Sequence, residues 1–229
     1  MKIIEFVGYP GSGKSYVSDL AEDYFSNASN LKILSIERYR NSVLHTKLEK
    51  FFWYVGIFIR NFFRWKFIVT TSQILFEKKS FKHLKYYYDV YGSYYLIKKK
   101  KKEFDFFIVS EGFISYPTYL FSNIKNRDKR RIKCEKYLKR HYKLLKNLSC
   151  ALQIYNSSEE KTIEHTSQKR NVDPSIIKKS LKPGDFHQTT DDHSKNLLWC
   201  ENHNILIGKI ENNYSENNSI INQLKLYLK

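Results

Sequence analysis

KIIEFVGYPGSGKS, residues 2–15, passes from an apolar run into a glycine-rich turn that ends in lysine and serine. Ile3, Ile4, Phe6 and Val7 have the character of a buried strand. Gly8, Gly11, Gly13, Lys14 and Ser15 then satisfy G-x-x-x-x-G-K-[ST], with Tyr9, Pro10 and Ser12 between them and Tyr16 after them. Glycines at this spacing let the backbone curl until successive N–H groups point inward, which makes a cradle for phosphate oxygens. The lysine adds a mobile positive charge for β- and γ-phosphates, and the serine hydroxyl is suited to ligating Mg²⁺. Val17, Leu20, Ala21, Tyr24 and Phe25 follow at helical spacing. They predict an amphipathic helix whose N-terminal dipole adds to the anion site. Strand, loop and helix together imply a nucleoside triphosphate, with ATP and Mg²⁺ as the expected ligands.

A chain of 229 residues accommodates one α/β domain with a sizeable insertion. Hydrophobic residues make up 41%, which excludes disorder throughout. The net charge of +17 favours anionic partners such as nucleotides, nucleic acid, an acidic membrane surface or a phosphorylated glycan. Cys134, Cys150 and Cys200 have neither metal-binding spacing nor an even count, as expected in a reducing compartment. The motif begins almost at Met1, so the expectation is a cytoplasmic protein, with peripheral contact at the inner membrane face as an addition to it.

Further strands are expected at residues 31–36, 104–110, 150–155 and 204–210, and a closing amphipathic helix carries Ile220, Ile221, Leu224 and Leu228. Residues 39–102 hold no convincing buried strand and are expected to be a helical insertion that supplies an acceptor site. Within it, residues 51–69 read FFWYVGIFIRNFFRWKFIV. Their longest uncharged run is nine residues, well short of the roughly 20 a membrane span needs. Two readings remain, a packed helix of the insertion or a basic aromatic helix lying on a membrane surface. Leu84, Tyr87, Tyr88, Tyr91, Tyr94 and Tyr95 form a stripe that is either core or a stacking surface for a base or sugar. Five consecutive lysines, 98–102, read as a solvated helix end.

Residues 125–146 contain eleven Lys and Arg against Asp128 and Glu135, while Tyr137, Leu138, His141, Leu144, Leu145 and Leu148 make an apolar stripe. This is a helix with a basic outer face, either a solvated surface or a dock for an acidic partner, nucleic acid included. Residues 157–195 are expected to form a lid region, with 189–194 polar and loop-like.

The apolar run at 104–110 ends on Glu111. In a parallel sheet beside the first strand, that acid would face the metal and the γ-phosphate. The first strand and loop, the acid Glu37 after strand two, the insertion, the Ser-Glu-Gly at 110–112 and a late helix bearing Arg170 together resemble the phosphate-loop kinases related to thymidylate kinase and the deoxynucleoside kinases. The resemblance spans the chain in layout and is specific in sequence at GYPGSGKS. It implies a three-layer α/β P-loop NTPase fold, a five-stranded parallel sheet and a helical insertion between strands 2 and 3. It also implies transfer of the γ-phosphoryl group of ATP to a hydroxyl or phosphate of a small acceptor, nucleoside-like or sugar. Lys14, the loop amides and Ser15 would hold Mg²⁺·ATP, with Glu111 a second metal residue. Glu37 or Glu111 would serve as the base, and Arg170 would close over the transferring group. Where the family usually has an arginine after this acid, Gly112 stands here. A lipid-linked or polysaccharide acceptor at the membrane surface is an alternative, and a nucleic-acid-associated regulatory ATPase acting through 125–146 is another.

Overall fold

The computed structural model describes residues 2–9, 11–28, 31–78, 81–110, 112–155, 160, 163–164, 167, 171, 173–175, 185–212 and 217–228. Five strands, β1 (Lys2–Val7), β2 (Ile33–Ser35), β3 (Phe106–Val109), β4 (Cys150–Tyr155) and β5 (Leu206–Glu211), form one sheet in the order 2-3-1-4-5. Every pairing is parallel, with Glu5 level with Val109 of β3 and Ala151 of β4. A parallel sheet needs both faces covered, and helices do so here. Helix α1 (Lys14–Ala28) and the last helix, α9 (Asn217–Lys225), seal one face. There Val17, Ala21 and Phe25 meet Ile4, Phe6, Ile108, Leu152, Ile220, Ile221 and Leu224.

Between β2 and β3 the described residues of the insertion form helices joined by short turns, with no strand among them. These helices are α2 (Ile36–Val43), α3 (Lys47–Asn61), α4 (Trp65–Gln73) with a π-helical continuation over Ile74–Lys78, and α5 (Phe81–Lys100). Residues 51–69 are thus two helices, broken at 62–64, rather than one. Helix α3 starts on a capping box in which Thr46 and Glu49 satisfy each other's backbone N–H groups. The tyrosine stripe of α5 is core. Tyr87, Tyr88 and Tyr91 are buried and ring-packed on Phe67 at centroid distances of 4.9–5.5 Å.

The second sheet face is covered by α5, the short α6 (Tyr116–Leu120), α7 (Arg127–Leu145) and α8 (Asp185–Glu201). Helix α7 has the expected division, with Tyr137, Leu138, His141 and Leu145 buried under a basic exterior. Arg130 departs from it. This arginine is buried and pairs with Asp192 of α8 at 2.8 Å, while its other arm donates to Ile124 O. The segment 189–194, expected as loop, belongs to α8. Two of its polar residues look inward: Asp192 meets Arg130, and the buried His193 lies 3.5 Å from Thr118. Most of the expected lid, residues 157–195, lies outside the described residues up to α8. The three cysteines are buried and unbridged. No helix among the described residues is long and apolar enough to cross a membrane.

Candidate active site

The carboxyl ends of β1, β3 and β4 converge where an open α/β sheet places its ligand crevice. The loop after β1 turns there into α1. Gly11 and Gly13 have φ of 91° and 84°, a region that side chains resist, so the turn depends on them. Gly8 is required for a different reason, since a Cβ added there would overlap the carbonyl oxygen of Ile154. Ser12 N donates to Tyr9 O at 3.0 Å and Val17 N to Gly13 O at 2.9 Å.

Lys14, 7% exposed, folds back over the turn and donates to Gly8 O (2.9 Å) and Tyr9 O (3.2 Å). The Ser15 side chain is exposed at the helix start, and the hydroxyl of Ser12 is buried with no hydrogen-bond partner among the described residues. An orphaned hydroxyl, left-handed glycines and a buried lysine at a helix N-terminus fit a phosphate chain. Among the described residues no group of three or more His, Cys, Asp or Glu could hold a metal ion. Ser15, exposed at the head of α1, could hold a magnesium ion together with the phosphates, which suits that ion's habit of keeping water and phosphate ligands.

Residues far along the chain brace this loop. Asn212, directly after β5, donates to Ser12 O at 2.9 Å, and the Tyr119 hydroxyl donates to Gly8 O at 3.2 Å. Tyr16 OH hydrogen-bonds Asn217 at the start of α9. His193 is buried against the Tyr119 ring. Its burial, and secondarily the Lys14 charge, depress its pKa to about 3, so it stays neutral beside the lysine.

Glu37 sits half-buried in the first turn of α2. Arg38 is drawn to Asp23 (2.6 Å) and Glu22 (3.7 Å), while Arg40 reaches Asp89 of α5 at 3.3 Å. Tyr54 of α3 donates to the same Asp89 oxygen at 3.0 Å, so this carboxylate ties α2, α3 and α5 together. Burial raises the Asp89 pKa, against the pull of Arg40.

The largest surprise is Glu5, at the centre of β1 and wholly buried. Its Oε1 accepts from the backbone N–H groups of Ile114 (2.8 Å) and Ser115 (3.0 Å), in the loop that follows β3. Burial pushes its pKa up to about 8, opposed by those two bonds and reinforced by the charge of Glu37. Gly112 lies against this carboxyl, and a Cβ there would overlap it. That fits the glycine at the position where the resemblance leads one to expect arginine: a side chain at 112 would have to displace the Glu5 carboxyl.

Of the residues singled out from sequence, the structure brings Gly8, Tyr9, Gly11, Ser12, Gly13, Lys14, Ser15 and Tyr16 together at the loop, and places Glu37 at the head of α2, close enough to Glu5 to perturb its titration. Pro10, Glu111 and Arg170 lie outside the described residues. Glu5, Tyr119, His193 and Asn212 were not legible as site residues. Glu5 alone carried a signal, a charge in the middle of an apolar strand.

No family model and no curated protein matches the sequence. Solved structures do match over the whole length. Deoxyadenosine kinase from M. mycoides with bound dATP aligns with a TM-score of 0.50 at 11% identity, covering 99% of this chain and 98% of that one. The same enzyme with the products dCMP and a flexible dCDP aligns with a TM-score of 0.51 at 13% identity, over 99% and 98%. The fold is that of a deoxynucleoside kinase-like P-loop protein.

Proposed function

We propose that this P-loop protein is an ATP-dependent kinase that moves the γ-phosphoryl group of ATP to a hydroxyl or phosphate of a small acceptor, with nucleosides the first class to test. The observation that carries this reading is the turn itself, with Lys14 buried at its helix N-terminus and glycines at 11 and 13 in the left-handed region. The nucleoside preference rests on the fold neighbours, which are structures of a deoxyadenosine kinase with bound deoxynucleotides.

In this reading the loop amides and Lys14 bind and orient the phosphates. Lys14 exchanges its bonds to Gly8 O and Tyr9 O for phosphate oxygens. Magnesium would be held through Ser15 and Glu111 and would supply charge neutralisation at the β- and γ-phosphates. Glu37 takes the acceptor hydroxyl proton as that oxygen bonds to phosphorus, and the bridging bond to the β-phosphate breaks to release ADP. Glu111 is the alternative base. Arg170 would cover the transferring group and help exclude water. The insertion 39–102 shapes the acceptor side, its α2, α3 and α5 held in register by the Arg40–Asp89–Tyr54 network.

The test is transfer of labelled phosphoryl from ATP to a panel of nucleosides, nucleotides, sugars and lipid-linked glycans. Lys14→Met should abolish transfer, by at least about 10³-fold, while leaving the unfolding midpoint near the parent value. Transfer to no acceptor in the panel, or transfer that survives Lys14→Met, would overturn the reading. Hydrolysis stimulated by RNA without any transfer would replace it with the regulatory ATPase.

A further inference from the structure

Helix α3 is apolar on both sides. Its inner side is accounted for: Ile57 and Asn61 are buried, and Trp53 and Tyr54 pack on Tyr95 and Tyr88 of α5. Its outer side carries Leu48, Phe51, Phe52 and Ile59, at i, i+3, i+4 and i+11, with Phe62 just past its end, each 46–64% exposed. The stripe runs on into the turn at 62–64 and the start of α4, where Phe63 is 94% and Trp65 75% exposed. Phe58, Phe62 and Phe63 form a continuous run of ring contacts at 5.4 and 5.5 Å. A globular protein seldom leaves so long an aromatic face bare without a partner.

The charges around this face indicate what covers it. Lys47, Arg64 and Lys66 are exposed beside it, while Arg60, though exposed, lays its guanidinium over the Tyr95 ring of α5 at 4.0 Å. The acid among them, Glu49, is engaged by the N–H groups of His45 and Thr46 at the helix start. A second copy laid antiparallel on this stripe would set Lys47 against Arg64, and both copies carry a net charge of +17. Self-association is therefore opposed by like charge. An anionic lipid surface is complementary on both counts: it accepts the aromatic rings at the headgroup boundary and pairs the basic side chains with lipid phosphates.

We propose that the outer face of α3 and the α3–α4 turn form a docking surface for an anionic bilayer, with Phe63 and Trp65 entering the interface and Arg64 and Lys66 contacting the headgroups. This assignment stands independently of the phosphoryl-transfer reading.

The experiment is sedimentation of the full chain with sucrose-loaded vesicles of phosphatidylcholine, with and without phosphatidylglycerol, alongside tryptophan emission. Trp53, Trp65 and Trp199 are the three tryptophans, and Trp65 is the exposed one. The expected result is binding to the anionic vesicles that weakens with salt, accompanied by a blue shift that Trp65→Phe removes. Phe63→Ala combined with Trp65→Ala should lower the partition coefficient at least about tenfold. Arg64→Gln and Lys66→Gln should each lower it roughly fivefold on anionic vesicles. These side chains are exposed, so folding is spared, and circular dichroism verifies it. Three results would each overturn the proposal: no binding to anionic vesicles at low salt, binding indifferent to the Phe63 and Trp65 changes, or a concentration-dependent dimer that those changes dissolve.

Discussion

Replacing Glu5 by glutamine separates the charge of this buried carboxyl from its shape. Glutamine keeps an oxygen where Oε1 now accepts from Ile114 and Ser115, and it has no proton to lose. In the parent, burial raises the carboxyl pKa from 4.5 to about 8. The native state therefore holds a proton across a window in which the unfolded chain has released it. Stability contributed by this group is complete below pH 4.5 and falls as pH rises towards 8. The slope is about 1.4 kcal/mol per pH unit. Between pH 5.5 and 7.5 the parent should thus lose roughly 2.7 kcal/mol relative to Glu5→Gln. With a urea dependence of about 2–3 kcal/mol/M, that is roughly 1 M in the difference between the two midpoints. Urea titrations of both proteins at pH 5.5, 6.5, 7.5 and 8.5 measure it, and the comparison cancels groups that titrate alike in both. A pH-independent gap would refute the reasoning, as would a parent that gains on the variant as pH rises. Either result would mean that the carboxylate is ionised in the folded protein and that its two backbone bonds outweigh desolvation.

Gly112→Ala presses a methyl group into the Glu5 carboxyl and should destabilise by about 1–3 kcal/mol, read as a lower denaturation midpoint. Because 112 follows Glu111 directly, phosphoryl transfer should fall with it. Asp192→Asn leaves the buried Arg130 without its counter-charge and should cost about 3–5 kcal/mol, again by urea titration. On the acid side, the buried neutral His193 and His141, with pKa values depressed to about 3 and about 4, bind protons more weakly than in the unfolded chain. Their contribution is complete above about 6.5 and is lost as pH falls below it. His193→Gln should make the acid-side loss shallower by up to one proton's worth, measured as the pH dependence of the midpoint.

The parts of this fold that could be read from sequence are those whose causes are local. The loop at 8–15 is specified by its own glycines, and the placement of Lys14 follows from the turn. Strand β4 was expected at 150–155 and is found there, because CALQIY is apolar and bounded by polar turns. The tyrosines of α5 were readable as a stripe, and their burial against Phe67 decides for core. What resisted was tertiary. Residues 189–194 are polar, yet they belong to a helix in which Arg130 and Thr118 engage Asp192 and His193 from other elements. Glu5 reads as an anomaly in β1 until Gly112 and the N–H groups of 114 and 115 are placed around it. Asn212 gives no hint in sequence that its amide grips the phosphate loop from the end of β5.

The most direct test of the central claim is a crystal structure of the full chain with magnesium and a non-hydrolysable ATP analogue. The account predicts the β- and γ-phosphates against the backbone amides of residues 11–15, with Lys14 Nζ moved off Gly8 O and Tyr9 O onto phosphate oxygens. An analogue bound elsewhere, with Lys14 still closed on those two carbonyls, would contradict it.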